Sequence, residues 1–497
     1  MSWADLLPPF ILGSSLLPGL VIFFLPESRR TLRTALNLAS ACLKLVAVAV
    51  LMAVVATGGQ PRWEWSLAPG FDLALQADAL SLLFVTLSAG LWLVTTVYAI
   101  AYLEGAPQRS RFFGFFSLCV SATVGIALSA DLLTFLVFYE ILTITTYPLV
   151  VHRGTRRSLA AGGTYLVYTL SGGVLLFVGT AWLTALAGPV DFASGGATVD
   201  TLIHEHPGAL RAIFALLVAG LAVKAAIVPV HGWLPVAMIA PAPVSALLHA
   251  VAVVKAGAFG ILRVVYDVYG VQAATDLGVL TWLAGFATIT ILFGSLRALV
   301  QDDLKRRLAY STVSQLSYIT LGAALATPLA LTGAVVHLVH QGLMKITLFF
   351  CAGNLSETLG VRRVSEMAGV GRRMPWTMRA FAVAALGMIG TPPIAGFVSK
   401  WYLGAGALSS GDGWALAVLV ASGLLNAAYF LPILKTAWFE PARKAWPVSS
   451  GRLETSWMLL LPPLVTAALS LLVGVCAGVD ASPLAWAGRI AREVFGP

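Results

Sequence analysis

Charge is what this sequence has least of. Asp, Glu, Lys and Arg make up only 11% of its 497 residues, against about 25% in soluble domains. With 59% hydrophobic residues and a mean hydropathy of +0.88, no polar skin is left to face water, so the solvent must be lipid. Cysteine is scarce too. Cys42, Cys119, Cys351 and Cys476 all lie in apolar segments and share neither a CxxC nor a zinc-type spacing. That predicts no metal site and no disulfide, and reads them as small packing residues. There is no GKS or GKT phosphate loop and no GxGxxG after a strand, nor any Cys or His cluster with heme or iron–sulfur spacing. No cofactor and no chemical catalysis within the chain are expected. The sequon Asn354-Leu355-Ser356 falls on the predicted inner side and is discounted.

What is there in abundance is long apolar runs. A helix needs about 20 apolar residues to cross the hydrocarbon core, and by that measure the chain reads as an all-α polytopic protein of fourteen spans. They cover 6–25, 34–55, 78–102, 112–130, 132–151, 162–187, 210–230, 241–265, 277–299, 308–326, 330–352, 379–404, 414–436 and 457–478. The first run is followed by no small-residue cleavage site, so it reads as a retained helix and not a signal peptide. No soluble domain interrupts the series, and the longest loops, around 353–378 and 437–456, are short and basic.

The net charge of +9 does not point to nucleic acid, because the basic residues sit in short loops between spans. With the N-terminus outside, 21 of the 31 Lys and Arg residues fall on the inward side, Lys444 and Arg452 among them. Five fall outside, Arg263 among these, and five lie within spans. Such a bias is the positive-inside pattern, and it predicts a multi-pass protein of the cell (inner or plasma) membrane with both termini outside the cytoplasm.

The charges left inside are the candidates for function. An ionised side chain at mid-bilayer costs roughly 2.5–3.5 kcal/mol on insertion scales. Glu140 lies about nine residues into its span, too deep for a short carboxylate to reach the interface; the alternative is a structural ion pair or a neutral hydrogen-bonded acid. Lys224 sits five residues before Pro229, which removes a backbone donor and predicts a broken seventh helix. Broken helices at membrane depth line cavities or hydrated paths. Lys255 has small neighbours, Ala252, Ala256, Gly257 and Ala258, and His249 lies six positions earlier. His249 reads equally as a packing residue or a connector. His337, Gln341 and Lys345 follow at i, i+4 and i+8 on one helix face, with His340 off by one. Lys400 follows Pro392-Pro393, which predicts a second break, in helix twelve. The two lysine-and-proline helices are five spans apart, which predicts two inverted five-helix repeats. Lys44 has no proline, histidine or evident partner. It reads as snorkelling, or as touching lipid or another subunit. Asp78 and Asp131 stand at helix starts and read as caps.

These residue types suit a proton relay. Lysine titrates near ~10.4 in water, desolvation lowers that value and a nearby carboxylate raises it. Histidine, near ~6.5, can bridge carriers.

The segments DLLTFLVFYE, KAAIVPVHGWLPVAMIAPAPVSALLHAVAVVKAG, HLVHQGLMKITLFF and GTPPIAGFVSK together resemble the antiporter-like membrane subunits of respiratory complex I, Mrp cation/proton antiporters and membrane-bound hydrogenases. The resemblance runs from about 75 to 435. It implies that Glu140, Lys224 and Lys255 form the proton relay, and matches Lys345 and Lys400 to the lysines of the eleventh and twelfth helices; His249 and His337 are further candidates from their positions alone. A lysine in the twelfth helix and its GTPP context look most like the Mrp D-type subunit. The organisation implied is 1–111 for helices 1–3, 112–267 and 268–437 for the two repeats, and 438–497 for helix 14 and a tail. The function implied is proton translocation within a multi-subunit sodium (or other monovalent cation)/proton antiporter, alongside other membrane subunits. The alternative is a proton-pumping subunit of a complex I-type oxidoreductase or a hydrogenase.

Overall fold

The computed structural model describes residues 2–68, 71–192, 195–443, 446 and 453–496; Lys444 and Arg452 lie outside them. Twelve helices among the described residues are long and apolar enough to cross a membrane. They are α1 (Leu7–Phe23), α2 (Arg30–Ala56), α3 (Ala79–Tyr102), α4 (Arg109–Leu128), α5 (Leu132–Val150), α6 (Arg156–Ala187), α7 (Pro207–Ala225), α8 (Ala242–Tyr269), α9 (Val279–Leu299), α11 (Pro328–Leu359), α13 (Gly413–Phe439) and α14 (Trp457–Val475).

The two remaining predicted spans fall on helices that fail that test for different reasons. The first, α10 (Leu304–Ala324), has the length but is diluted by Ser, Thr, Gln and Tyr. The second is two pieces, α12a (Pro375–Ile389) and α12b (Ala395–Ser409), parted by Gly390–Ile394. Helix α7 also stops short of its proline, as expected. Ala226 takes a left-handed φ of 57°, and its N–H and that of Ile227 turn back onto Val223 and Ala222, closing the helix end.

Burial is arranged inside out. Helices α8 and α11 are buried along the whole of their apolar windows. By contrast α6 shows Val167, Leu170, Val174 and Phe177 to the outside. Apolar residues thus face lipid, and the polar groups collect around α8, α10 and α11. Asp78 and Asp131 cap α3 and α5, accepting from Ser81 N–H and Thr134 N–H at 2.7 Å each.

Four features depart from the sequence reading. Arg62–Ala68 (β1) and Phe71–Gln76 (β2) form an antiparallel hairpin between α2 and α3, where the all-α reading has no strand. The tail is an amphipathic helix, α15 (Pro483–Phe495), whose Ala487, Ile490 and Ala491 are buried; Trp486 Nε1 donates to the Ala79 carbonyl at 2.8 Å. Cys119 and Cys351 pack in the interior, but Cys42 is exposed on α2 and is no packing residue. Lys44 neither snorkels nor reaches lipid. Its relative exposure is 0%, because α1 and α3 close over it.

Candidate functional site: a buried line of lysines and histidines

The site begins where α5, α6 and α7 meet. Lys224, in the last turn of α7, donates to the carbonyl of Tyr139 on α5, and its Nζ stands 3.3 Å from the centre of the Tyr139 ring. Tyr139 is itself pinned, its hydroxyl donating to the Gly220 carbonyl at 3.1 Å. Glu140, the next residue, is within electrostatic reach of Lys224, yet no salt bridge forms. Its Oε1 has no partner. Gly172 and Gly220 let the backbones of α6 and α7 touch, since a Cβ on Gly220 would stand 2.6 Å from the Gly172 carbonyl.

Beyond Lys224 the break is held by side chains. Trp233 Nε1 donates to the Val223 carbonyl at 2.7 Å, and Val228 N–H donates to Thr290 Oγ1 at 3.0 Å. At membrane depth such backbone groups need protein partners, and here they have them. Gly257 of α8 packs against the last turn of α7, where a Cβ would stand 2.3 Å from Ala225 N.

On α8, Lys255 Nζ donates to the Leu338 carbonyl of α11 at 2.7 Å. His249 sits in a π-helical turn, Leu247–Val251. Its ring stacks on Phe349 at 4.5 Å and its Nε2 lies 3.3 Å from Met238 Sδ, while Nδ1 has no partner. Such wide turns often mark functional positions in helices.

Helix α11 spreads its polar groups between two neighbours. His337 Nδ1 meets Ser399 Oγ of α12b at 2.8 Å, and its ring stacks on Tyr318 at 5.3 Å. Lys345 donates to Ser311 Oγ of α10 at 2.7 Å and to the Leu308 carbonyl at 3.2 Å. The i, i+4, i+8 series winds slowly around the helix, so its two ends serve different partners. Lys255, Lys400 and His340 also lie within electrostatic reach of His337.

At the second break, Lys400 reaches back from α12b to the end of α12a. Its Nζ donates to the carbonyls of Met388 at 2.8 Å and Ile389 at 2.9 Å, the place where a cation best answers the helix dipole. Lys224 and Lys400 therefore differ. The former lies before its break and bonds another helix; the latter lies after its break and bonds the carbonyls before it.

Sequence reasoning missed several members. Ser311, Tyr429 and Asn426 form a hydroxyl–amide string beside Lys345, Tyr429 OH being 2.8 Å from Ser311 Oγ and also bonded to Asn426. Gln315 and Tyr318, also missed, and His340 and Gln341, which the sequence had marked, are fully buried with polar atoms that have no partner. Arg263, assigned to an outer loop, is only 3% exposed and clamped by Asp78 at 2.7 Å and Asp267 at 2.6 Å. The i, i+4 spacing of Arg263 and Asp267 was the available signal. Among the described residues no group of three or more His, Cys, Asp or Glu side chains is placed to hold a metal ion.

With this geometry in view, the likenesses to known proteins are extensive. Residues 129–425 match the family described as NADH:quinone oxidoreductase/Mrp antiporter, and residues 66–113 match the N-terminus of complex I chain 5. The chain is 38% identical over 445 residues to an NADH-quinone oxidoreductase membrane subunit, the N-type one, of Desulforudis audaxviator, covering 86% of this chain and 87% of the relative. It is 28% identical over 465 residues to the D-type subunit of the Na(+)/H(+) antiporter of Bacillus subtilis, covering 93% and 92%. In three dimensions it resembles a chain of the Mrp complex from Dietzia sp. DQ12-45-1b, with a TM-score of 0.87 at 26% identity over 100% of this chain and 98% of that one.

Proposed function

Because the chain belongs to the NADH:quinone oxidoreductase/Mrp antiporter family, we propose that it is the proton-translocating membrane subunit of a hetero-oligomeric monovalent cation (sodium)/proton antiporter. Protons move through Glu140, Lys224, Lys255, His337 and Lys400, with Lys345 and His249 as connectors. One observation carries this reading. Lys224, Lys255, Lys345 and Lys400 all rest on carbonyls or hydroxyls, and none of them forms a salt bridge among the described residues. A lysine locked to a carboxylate gives up its proton only by stranding a buried charge. A lysine on a carbonyl can lose one proton and still donate an N–H.

The unpartnered atoms of Gln315, Gln341 and His340 fit the same role, as polar stations between the cations. The repeats are α4–α8 and α9–α13, flanked by residues 1–111 and 438–497, in the cell (inner or plasma) membrane with both termini outside. The test is proton-coupled transport in vesicles carrying the assembled complex. Glu140→Ala or Lys224→Ala should abolish it while assembly persists; normal transport in either variant sinks the proposal.

A second reading, a proton-pumping subunit of a redox complex, is favoured by the 38% identity to the NADH-quinone oxidoreductase relative. Purifying the assembly separates the two: iron and flavin absorbance in the complex supports the redox partner, and their absence with sodium-dependent proton exchange supports the antiporter.

A further inference from the structure

The N-terminal helices contain a polar seam that the relay does not use. On α2, Arg33, Asn37, Ser40 and Lys44 recur at i, i+4, i+7 and i+11, so they share one face, and all four are buried, at 3%, 1%, 6% and 0% exposure. At the lower end of the seam, Arg33 donates to Ser110 Oγ at 2.8 Å and lies 3.8 Å from Glu27, whose carboxylate is 46% exposed. Next, Asn37 Oδ1 accepts from Ser117 Oγ of α4 at 3.4 Å, and Asn37 Nδ2 donates to the Arg33 carbonyl at 2.9 Å. At the upper end, Lys44 Nζ donates to Ser15 Oγ of α1 at 2.5 Å and lies 4.8 Å from the centre of the Trp92 ring on α3.

Trp92 begins a second stripe. Ser88, Trp92 and Thr96 follow at i, i+4 and i+8 on α3, all at 0% exposure, and each has a side-chain polar atom with no partner. Helix α3 packs in turn against the His249 turn of α8 and against α11. There Gly342 of α11 is so close that a Cβ would meet Ala250 O of α8 and Leu87 of α3, both at 3.3 Å. Helix α3, which carries this stripe, thus lies between Lys44 and α8 and α11.

The electrical surroundings of Lys44 are bare. Helix α1 carries no Asp, Glu, Lys, Arg or His, and α3 carries only Tyr98 and Tyr102 as titratable groups, towards its C-terminal end. Helix α4 offers Cys119 in its interior; its Arg109 and Arg111, with Arg30 and Arg33 of α2, gather at the Glu27 end. Lys44 itself forms no ion pair among the described residues. A lone cation so deep in an apolar bundle is expensive. Ser40 stands between Asn37 and Lys44 on the same face, its hydroxyl donating to the Leu36 carbonyl.

We propose that Lys44 is a further proton-holding site, filled from the Glu27–Arg33 end of the bundle through the Asn37–Ser117–Ser40 seam and opening onto the Ser88–Trp92–Thr96 face of α3. It rests on the proton-relay reading of this chain and adds a branch to it. When Nζ gives up its proton to the α3 side, the neutral amine still has an N–H for Ser15, and a proton arriving along the seam restores the ammonium.

The test uses the assembled complex in proteoliposomes, with proton flux followed against pH for Lys44→Met and Lys44→Arg. Arginine keeps the charge and the hydrogen bond but does not release its proton. Both variants should therefore slow proton-coupled transport at least fivefold and remove one limb of the pH profile. Wild-type rates in Lys44→Met would overturn the proposal, and so would full rescue by Lys44→Arg, which would make the residue a structural cation. Should Lys44→Arg not assemble, Asn37→Leu decides, because it cuts the seam without touching Lys44. A threefold or greater loss supports the branch, and an unchanged rate refutes it. Glu140→Gln run alongside keeps the two failures apart: if it too is fully active, the relay reading falls, and if it alone is inactive, only Lys44 does.

Discussion

Gly173 of α6 stands directly against the carboxylate of Glu140, so close that a Cβ placed there would lie 2.1 Å from Oε1. The atom it would strike is the far end of a flexible side chain, not backbone. Gly173→Ala should therefore fold and assemble, because the carboxylate can swing aside. It cannot stay where it is. We expect proton-coupled transport to fall about tenfold, equivalent to ~1.4 kcal/mol, with little change in thermal stability. Loss of assembly, or unchanged transport, would contradict this positioning role.

The Trp233 indole makes the opposite prediction. Its N–H satisfies the Val223 carbonyl at 2.7 Å, one turn from where α7 ends. The Val223 carbonyl keeps the Ala226 N–H at 3.1 Å, so what is lost is the indole's own hydrogen bond, typically about 0.5–1.5 kcal/mol. Trp233→Phe removes the donor while keeping a ring against Tyr165. Heat denaturation in detergent should shift downward, and transport should fall with it, since Lys224 sits next to Val223. A drop in transport without a drop in stability would mean that Trp233 acts on protons directly.

The contrast between these residues shows what a sequence can disclose. Pro229 and Pro392-Pro393 announce their breaks because proline acts locally, through its own missing N–H. The lysines announce themselves because a charge in an apolar run is costly wherever it ends up. Partners are another matter. That Lys224 faces Tyr139, or Lys345 faces Ser311, depends on helix rotation and packing, which no spacing along one helix encodes. Lys44 and Arg263 were misplaced for the same reason. Lys44 is enclosed by α1 and α3, and Arg263 is drawn inward by Asp78, 185 positions away. The β1–β2 hairpin is legible only as a short period-two alternation, too brief to stand out beside the helices.

A pH dependence follows from Glu27, in the loop between α1 and α2. Burial opposes its ionisation, but the backbone N–H groups of Ser110 and Arg109 and the guanidiniums of Arg33 and Arg109 outweigh that and hold its carboxyl below its ordinary value of 4.5. A carboxyl lowered in the folded state contributes stability above its unfolded value and loses it as pH falls through the folded one. The tie between this loop and the start of α4 should thus weaken below about pH 4.5. Thermal stability measured from pH 7 to pH 3 should decline, and Glu27→Gln should flatten the decline. A parallel fall in both proteins would assign it to other carboxylates.

Gly257 tests whether the relay depends on helix contact as well as on its ionisable groups. A Cβ at this position would stand 2.3 Å from Ala225 N and 2.8 Å from Leu221 O. Both are backbone atoms at the end of α7, and neither can swing aside as Glu140 can. Gly257→Ala must push α8 away from the last turn of α7, where Lys224 and the Trp233–Val223 bond sit. Overpacking of this kind costs typically about 1–3 kcal/mol, against little for Gly173→Ala. Comparing the two alanine variants therefore separates a moved carboxylate from a moved helix. Gly257→Ala should lower both heat stability and transport, and Gly173→Ala transport alone. If Gly257→Ala kept full stability, α7 and α8 would be free to separate, and the close contact would not be what fixes Lys224 in place.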